Sequence, residues 1–211
     1  MTVDQDTVRT LALTHRFERL NSAIISDAAA CKGVVGPGLT RFSGSGTVAG
    51  RVVTAQCGEG SVMAIFPTLE HARPGDILCV SGPGASAYLG GLLLTYLAQL
   101  RLKGAVIDGL IRDRDEVSGS PLSIFARGLT PANRRARDPG KSMVDLIIGE
   151  VIVHPGDWIV ADSDGVVVVS PQEAESVLLK AEGLASLEER IYARVNAGEK
   201  PMDAVRAETS A

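Results

Sequence analysis

Hydrophobic positions along the chain recur at helical spacing near the start, pass into β-branched runs in the middle and return to helical spacing near the end. Val8, Leu11, Phe17 and Leu20 suggest one face of an opening helix, after which Asn21 or Ser22 caps a second short helix running through Ala30. Residues 33–46 are rich in glycine, proline and serine and read as a loop. The β-branched run 47–56 predicts a strand, and Gly58-Glu59-Gly60-Ser61 then opens a helix toward His71. A strand over 76–80, a helix over 91–103 and a strand over 104–110 predict a parallel β-α-β unit.

Beyond that unit the pattern is mainly of strands. Residues 122–126 and 144–153 read as strands, while 158–161 and 166–169 pair as a hairpin. Pro74-Gly75-Asp76 and Pro155-Gly156-Asp157 each introduce an apolar strand, a weak internal echo. Ser170-Pro171-Gln172-Glu173 supplies an N-cap, a proline at the first helical position and a glutamate at the third. The helix that follows, over 171–196, carries Val177, Ala181, Leu184, Leu187, Ile191 and Val195 on one face, available to its own domain or to a neighbouring subunit. No linker or low-complexity tract interrupts the pattern, so residues 1–211 read as a single α/β domain.

Composition narrows the function classes. At 211 residues with 45% hydrophobic content, the chain can bury a full core. A net charge of −4 and eight aromatic residues supply neither the basic footprint nor the stacking platforms of a nucleic-acid binder. The stretch MTVDQDTVRT has no apolar leader core, and the longest apolar run, around 89–97, is broken by Thr95 and too short to cross a bilayer. A soluble cytoplasmic protein without membrane contact is expected. Cys31, Cys57 and Cys79 are widely spaced and odd in number, as expected of buried reduced thiols that serve packing.

Candidate chemistry concentrates in residues 82–116, GPGASAYLGGLLLTYLAQLRLKGAVIDGLIRDRDE. A helix over 91–103 travels roughly 18 Å, and the next strand returns at about 3.3 Å per residue. Arg112 and Asp113 therefore come back level with Gly91. A carboxylate there can hold a hard cation, and a guanidinium can neutralise a neighbouring anion. Across the cleft, the first helical amides, at Gly91, Leu92 and Leu93, offer donors to a carboxylate, and glycine at 90 and 91 leaves the backbone approachable. These residues fit a receptor for a metal-chelating acid, and equally a tight helix–strand contact with a surface Arg–Asp pair.

Other candidates read as structure. Gly44-Ser45-Gly46 precedes a strand rather than a helix and is assigned to a turn; Asp162 and Asp164 adjoin Gly165 as hairpin-turn residues. Gly58 and Gly60 suit helix entry, and His15, His71 and His154 have no partners that make a triad.

In order along the chain, SDA at Ser26–Ala28, PGD at Pro74–Asp76, LGGL at Leu89–Leu92, KGAVIDGLIRD at Lys103–Asp113, FARGLTP at Phe125–Pro131 and the Pro155-Gly156-Asp157 turn with DSDGVVVVS at 162–170 resemble the RraA-like family. The resemblance covers nearly the whole chain. It implies a swivelling three-layer β/β/α domain with a long C-terminal helix, assembled as a homotrimer or a dimer of trimers. The family includes divalent-metal-dependent class II aldolases that cleave 4-hydroxy-4-methyl-2-oxoglutarate and 4-carboxy-4-hydroxy-2-oxoadipate, often with oxaloacetate decarboxylase activity. It also includes regulators that bind ribonuclease E.

Position by position, the resemblance implies that Arg112 is catalytic and meets the small 2-oxo acid substrate, and that Asp113 ligates Mg²⁺ or Mn²⁺. The aldolase subgroup carries an aspartate twenty-one positions before that arginine, where this chain has Gly91. A second catalytic subgroup has glycine there and follows a pattern resembling G-x20-R-D-x2-E-D. Gly91, Arg112, Asp113 and Glu116 meet it, with Val117 in place of the last acid. Regulators without aldolase activity commonly lack the aspartate of Arg-Asp, so Asp113 shifts weight toward an enzyme. Glu116 is the candidate to steer a water on the cation that takes the C4 hydroxyl proton. Family members also bring a glutamate from the adjacent subunit's last helix near the metal waters. Glu188 or Glu189 lies in that region, although an exposed charged face is the commoner account of either. The expectation is a metal-dependent aldolase and decarboxylase working through a pyruvate enolate. The alternatives are a non-catalytic regulator that binds ribonuclease E or another protein, and an oligomeric scaffold with a vestigial site.

Overall fold

Strands that are apolar on both faces need cover on both sides, and this chain supplies it with helices on one side and a small hairpin on the other. The structure is a computed structural model that describes residues 5–209. Residues 1–4 and 210–211 lie outside the described residues, and with them the start of the amino-terminal stretch and the two ends of the domain expected over 1–211.

The chain opens with helices α1 (Gln5–Phe17) and α2 (Ser22–Ala28); the Asn21 side-chain oxygen accepts the Ile24 amide at 2.8 Å and caps α2 as expected. Next come β1 (Thr40–Ser43), β2 (Val48–Gln56), the short helix α3 (Ile65–Leu69), β3 (Ile77–Ser81) and β4 (Ala87–Leu89). The central segment holds α4 (Gly91–Gln99), β5 (Gly104–Ile111), α5 (Arg114–Ser118) and β6 (Ser123–Leu129). The remainder contributes β7 (Lys141–Ser142), β8 (Leu146–Ile148), β9 (Val151–Val153), β10 (Trp158–Ala161), β11 (Val166–Val169), α6 (Ala174–Asn196) and α7 (Pro201–Thr209).

One sheet runs β1-β6-β5-β3-β2-β10-β11, with β4 added to β5 and β7 to β2. Its centre, β2-β3-β5-β6, is parallel, and β1, β10 and β11 join it antiparallel. Alternate residues of these strands serve opposite layers. Val52, Ile77, Cys79, Val106, Phe125 and Ile159 pack under Leu146, Ile148 and Val153 of the β8–β9 hairpin. On the other face, Val53, Leu78, Val80 and Ile107 bury against Ile65, Leu69, Leu94 and Leu97 of α3 and α4. Trp158, Val160, Val167 and Val169 bury against α1, α2 and the first half of α6. This is the three-layer β/β/α architecture expected.

The predicted β-α-β unit is present, with β3 and β5 parallel from Ile77 opposite Gly104 to Ser81 opposite Asp108. Helix α4 stops at Gln99 rather than 103, because Arg101 turns left-handed (φ 59°) and the Leu102 amide closes back on the Leu97 carbonyl at 3.1 Å. Residues 33–46 are not all loop: β1 pairs with β6 as an edge strand. The helix expected after Gly58 shrinks to α3, since Gly60 at φ 71° breaks the run before it. The strand expected over 144–153 folds into β8 and β9 about Gly149 at φ 60°.

The hairpin β10–β11 forms as read, and its turn residue Asp162 also accepts the Ser22 amide and hydroxyl, each at 2.6 Å, fastening α2 to the sheet. Ser170 and Glu173 bond reciprocally, hydroxyl to carboxylate at 2.8 Å and amide to hydroxyl at 3.3 Å, but regular helix begins only at Ala174. Cys57 and Cys79 are buried, and burial pushes the Cys57 thiol up to about 12. Cys31 departs from expectation: it is exposed, on a left-handed turn at φ 60°. No described helix is long and apolar enough to cross a membrane.

Candidate active site

Strand β5 is held to its last residue by both neighbours: the Thr130 amide donates to the Ile111 carbonyl at 3.0 Å, and the Arg112 amide to the Leu89 carbonyl at 2.9 Å. Asp113 then turns the chain sharply, with φ 57° and ψ 50°. Aspartate tolerates this left-handed region better than most residues that carry a side chain. Buried Val117 anchors the one-turn helix α5 that follows.

The turn aims the Asp113 carboxylate at the start of α4. Its Oδ2 accepts the Gly91 amide at 2.9 Å and lies 3.6 Å from Arg112 Nε. The length argument from the sequence therefore holds: strand end and helix start meet. Both side chains of the Arg112–Asp113 pair remain about a third exposed, open to a ligand.

Gly90 and Gly91 have a different reason from the one expected. A Cβ at Gly90 would press on Asp113 Oδ2 and the Arg112 side chain, and a Cβ at Gly91 would overlap the Glu116 carboxylate. The glycines make room for the protein's own acids rather than for a ligand against bare backbone. Likewise the Gly91 amide is taken by Asp113, while those of Leu92 and Leu93 sit in the first turn, where the helix supplies no acceptor. Gly90, Gly91, Leu92, Leu93, Arg112, Asp113 and Glu116 thus converge on one turn, and Glu116 fills the space into which a side chain at position 91 would project.

A cleft of about 470 Å³ opens beside this turn, and Arg112, Val62, Phe66, Leu92 and Tyr96 are among the residues that line it. Tyr88 lies beneath, buried; its oxygen accepts the Gly60 amide at 3.0 Å and its hydroxyl bonds the Pro83 carbonyl, tying two glycine-containing loops together. Burial raises the Tyr88 phenol above its ordinary value, against the opposing pull of the Gly60 amide. Sequence reasoning missed Phe66, Tyr88, Tyr96 and Asn133 as lining residues. For Tyr88 the one available signal was a polar-tipped aromatic set among small residues.

Glu188 and Glu189 are not brought to this turn. Both are exposed on the outer half of α6, a helix that packs against α1, α2 and α7. Among the described residues no group of three or more His, Cys, Asp or Glu gathers around one point. Asp113 and Glu116 are the acids at the turn that could hold a hard dication. His154 lies elsewhere, with Nδ1 2.9 Å from Asp145 Oδ1, a bond that raises its imidazole above the ordinary value.

The profile of the RraA-like family, described as Aldolase/RraA, matches residues 22–168. The chain belongs to the RraA-like family. A relative from Halalkalibacterium halodurans, provisionally named a 4-hydroxy-4-methyl-2-oxoglutarate aldolase, is 35% identical over 64% of this chain and 65% of its own length. The match thus spans slightly less than two thirds of that relative. Another with the same provisional name, from Albidiferax ferrireducens, is 36% identical over 65% of this chain and 84% of its own. A crystal structure from Streptomyces coelicolor, described as an unusual member of the ribonuclease ES inhibitor RraA protein family, superposes with a TM-score of 0.78 at 28% identity. It covers 88% of this chain and 98% of its own.

Proposed function

We propose that this RraA-like protein is a divalent-metal-dependent class II aldolase that releases pyruvate from a 4-hydroxy-2-oxo acid of the 4-hydroxy-4-methyl-2-oxoglutarate type and also decarboxylates oxaloacetate. One observation carries the reading: Arg112, Asp113 and Glu116 converge on the Gly90–Gly91 turn, with the arginine in the wall of an open cleft. The provisional names of the relatives agree with it.

Two carboxylates at one turn are hard donors suited to Mg²⁺ or Mn²⁺. Asp113 would hold the ion, leaving most of its shell to water and substrate, with Glu116 beside it. Bound there, the cation supplies Lewis-acid stabilisation of negative charge on the C2 oxygen. Arg112 neutralises the substrate carboxylate and helps hold the charge that develops as the C3–C4 bond breaks. The Leu92 and Leu93 amides offer further donors to that carboxylate. Glu116 accepts the C4 hydroxyl proton, directly or through water, in aldol cleavage. Oxaloacetate loses carbon dioxide without that proton transfer, so Glu116 matters more for cleavage than for decarboxylation.

In this reading residues 1–211 act as one domain, and helix 171–196 packs at a subunit interface of a homotrimer or a dimer of trimers, carrying Glu188 or Glu189 to a neighbour's site. The rival is a non-catalytic regulator of a ribonuclease, favoured by the family description of the Streptomyces coelicolor neighbour; the retention of Asp113 and Glu116 weighs against it. Purified protein with Mg²⁺ or Mn²⁺ is given oxaloacetate and 4-hydroxy-4-methyl-2-oxoglutarate while pyruvate is followed. Turnover that disappears with chelator and in Arg112→Ala supports the aldolase; equal background in all samples contradicts it.

A further inference from the structure

We infer that a second pocket, at the opposite end of the parallel strands from the Arg112 cleft, binds a small organic acid with one carboxylate and an apolar body. The cavity holds about 630 Å³ and shares no lining residue with the cleft. Its wall includes Arg73, Pro74 and Asp76, just before β3 begins, whereas Arg112 follows the end of β5, the parallel neighbour of β3. Both Pro-Gly-Asp turns reach it, one through Pro74 and Asp76 and the other through Pro155 and Gly156. The echo in the sequence therefore flanks a single cavity.

Two guanidiniums converge there on one carboxylate oxygen. Asp6 Oδ2, in the first turn of α1, lies 3.5 Å from Arg51 Nη1 and 3.7 Å from Arg73 Nη1. Arg51 is braced by its Nε, which donates to the Gly156 carbonyl at 3.4 Å. Both contacts to Asp6 are longer than a normal hydrogen bond and all three side chains reach solvent, so the internal carboxylate is held weakly. The end of α1 that carries it is also the less anchored one: Leu13 and Phe17 are buried, whereas Val8 and Leu11 are exposed. A free acid can take the place of that oxygen.

The charge of the wall selects a single carboxylate. With Asp6 withdrawn, Arg51 and Arg73 remain with Asp76, whose carboxyl is raised by burial and pulled back by the Arg73 amide, at 2.8 Å, and by both guanidiniums. His71 aside, one positive charge is left over, and one carboxylate balances it. The apolar share of the wall, from Leu11, Val52, Val53, Pro74, Met143 and Pro155, suits a hydrocarbon body. Phosphate would bring more charge than the wall can neutralise and nothing to cover that surface.

The test is calorimetric titration of the protein at neutral pH with 3-phenylpropanoate, its neutral amide 3-phenylpropanamide, and inorganic phosphate. The acid binds about tenfold tighter or more than either of the others. Arg51→Gln and Arg73→Gln each weaken it at least about threefold, while Arg112→Ala leaves it unchanged. Asp6→Asn tightens it about twofold or more, because the competing carboxylate is gone; misfolding cannot produce that gain. No binding of the acid, equal or tighter binding of the amide or of phosphate, binding that depends on Arg112 rather than on Arg51 and Arg73, or an Asp6→Asn variant that fails to bind more tightly overturns the inference.

Discussion

The Gly91 amide donates to Asp113 Oδ2 at 2.9 Å, so the first turn of helix α4 is capped by a carboxylate delivered from the end of the adjacent strand β5. The same oxygen lies 3.6 Å from Arg112 Nε, and Glu116 occupies the space a side chain at 91 would need. Capping, charge pairing and the missing Cβ therefore describe one feature.

Gly91→Ala separates its structural from its chemical role. Gly91 is the first residue of α4, where alanine is the better helix former, and the clash falls on the free end of the Glu116 side chain. The variant is expected to unfold within about 0.5 kcal/mol of wild type while aldol cleavage falls at least about tenfold, or about 1.4 kcal/mol in barrier. Urea denaturation together with pyruvate release measures both.

Asp113 carries a left-handed backbone as well as a carboxylate. Asp113→Asn keeps a residue that tolerates this conformation and can still accept the Gly91 amide, so stability stays close to wild type while Mn²⁺ affinity drops by about tenfold or more. Asp113→Ala loses the cap and forces alanine left-handed, costing about 1–3 kcal/mol. Calorimetric Mn²⁺ titration and denaturant midpoints check the two effects separately.

Helix α7 returns along α6 through Glu208, which accepts Arg190 Nε at 2.7 Å and Arg194 Nε at 2.8 Å. These arginines hold the Glu208 carboxyl below its ordinary value. A lowered folded-state pKa contributes stability that is present above the unfolded value and lost as pH falls through the folded one. Acidification through the range just below that of an ordinary glutamate is therefore expected to weaken the α6–α7 contact, and high salt weakens it at neutral pH. Hydrogen exchange at 201–209 reads the weakening, and Glu208→Gln reduces its pH dependence.

The thiols differ in access. Cys31 is exposed, while Cys57 and Cys79 are buried and burial raises both. A thiol reagent at pH 8 is expected to modify one cysteine per chain rapidly, and all three once the chain is unfolded.

Much of the centre was legible in the sequence because the β3-α4-β5 unit is fixed by local arithmetic. Strand β3 is an apolar run up to its last residue, β5 is one interrupted by Asp108, and the travel of the helix sets where Arg112 and Asp113 return. Elements shaped by distant partners were not legible. Strand β1 exists through pairing with β6, β4 is three residues among glycine and serine, and α5 is too short to show a period. The β8–β9 turn depends on one glycine inside a β-branched run. Within the site, residue identities pointed to Arg112, Asp113 and Glu116. That Gly91 yields its space to Glu116 required the side-chain geometry, and Phe66 reaches the cleft from a separate element.

The most direct test is exchange of pyruvate methyl protons with deuterium oxide, followed by proton NMR with Mg²⁺ present, since forming the enolate from pyruvate reverses the last step of either reaction. Wild-type protein is predicted to wash out the methyl signal well above the rate of metal alone, with Arg112→Ala and Asp113→Asn near background. Exchange that matches metal alone, or that persists undiminished in both variants, would contradict the assignment of the Gly90–Gly91 turn as the place where the enolate forms.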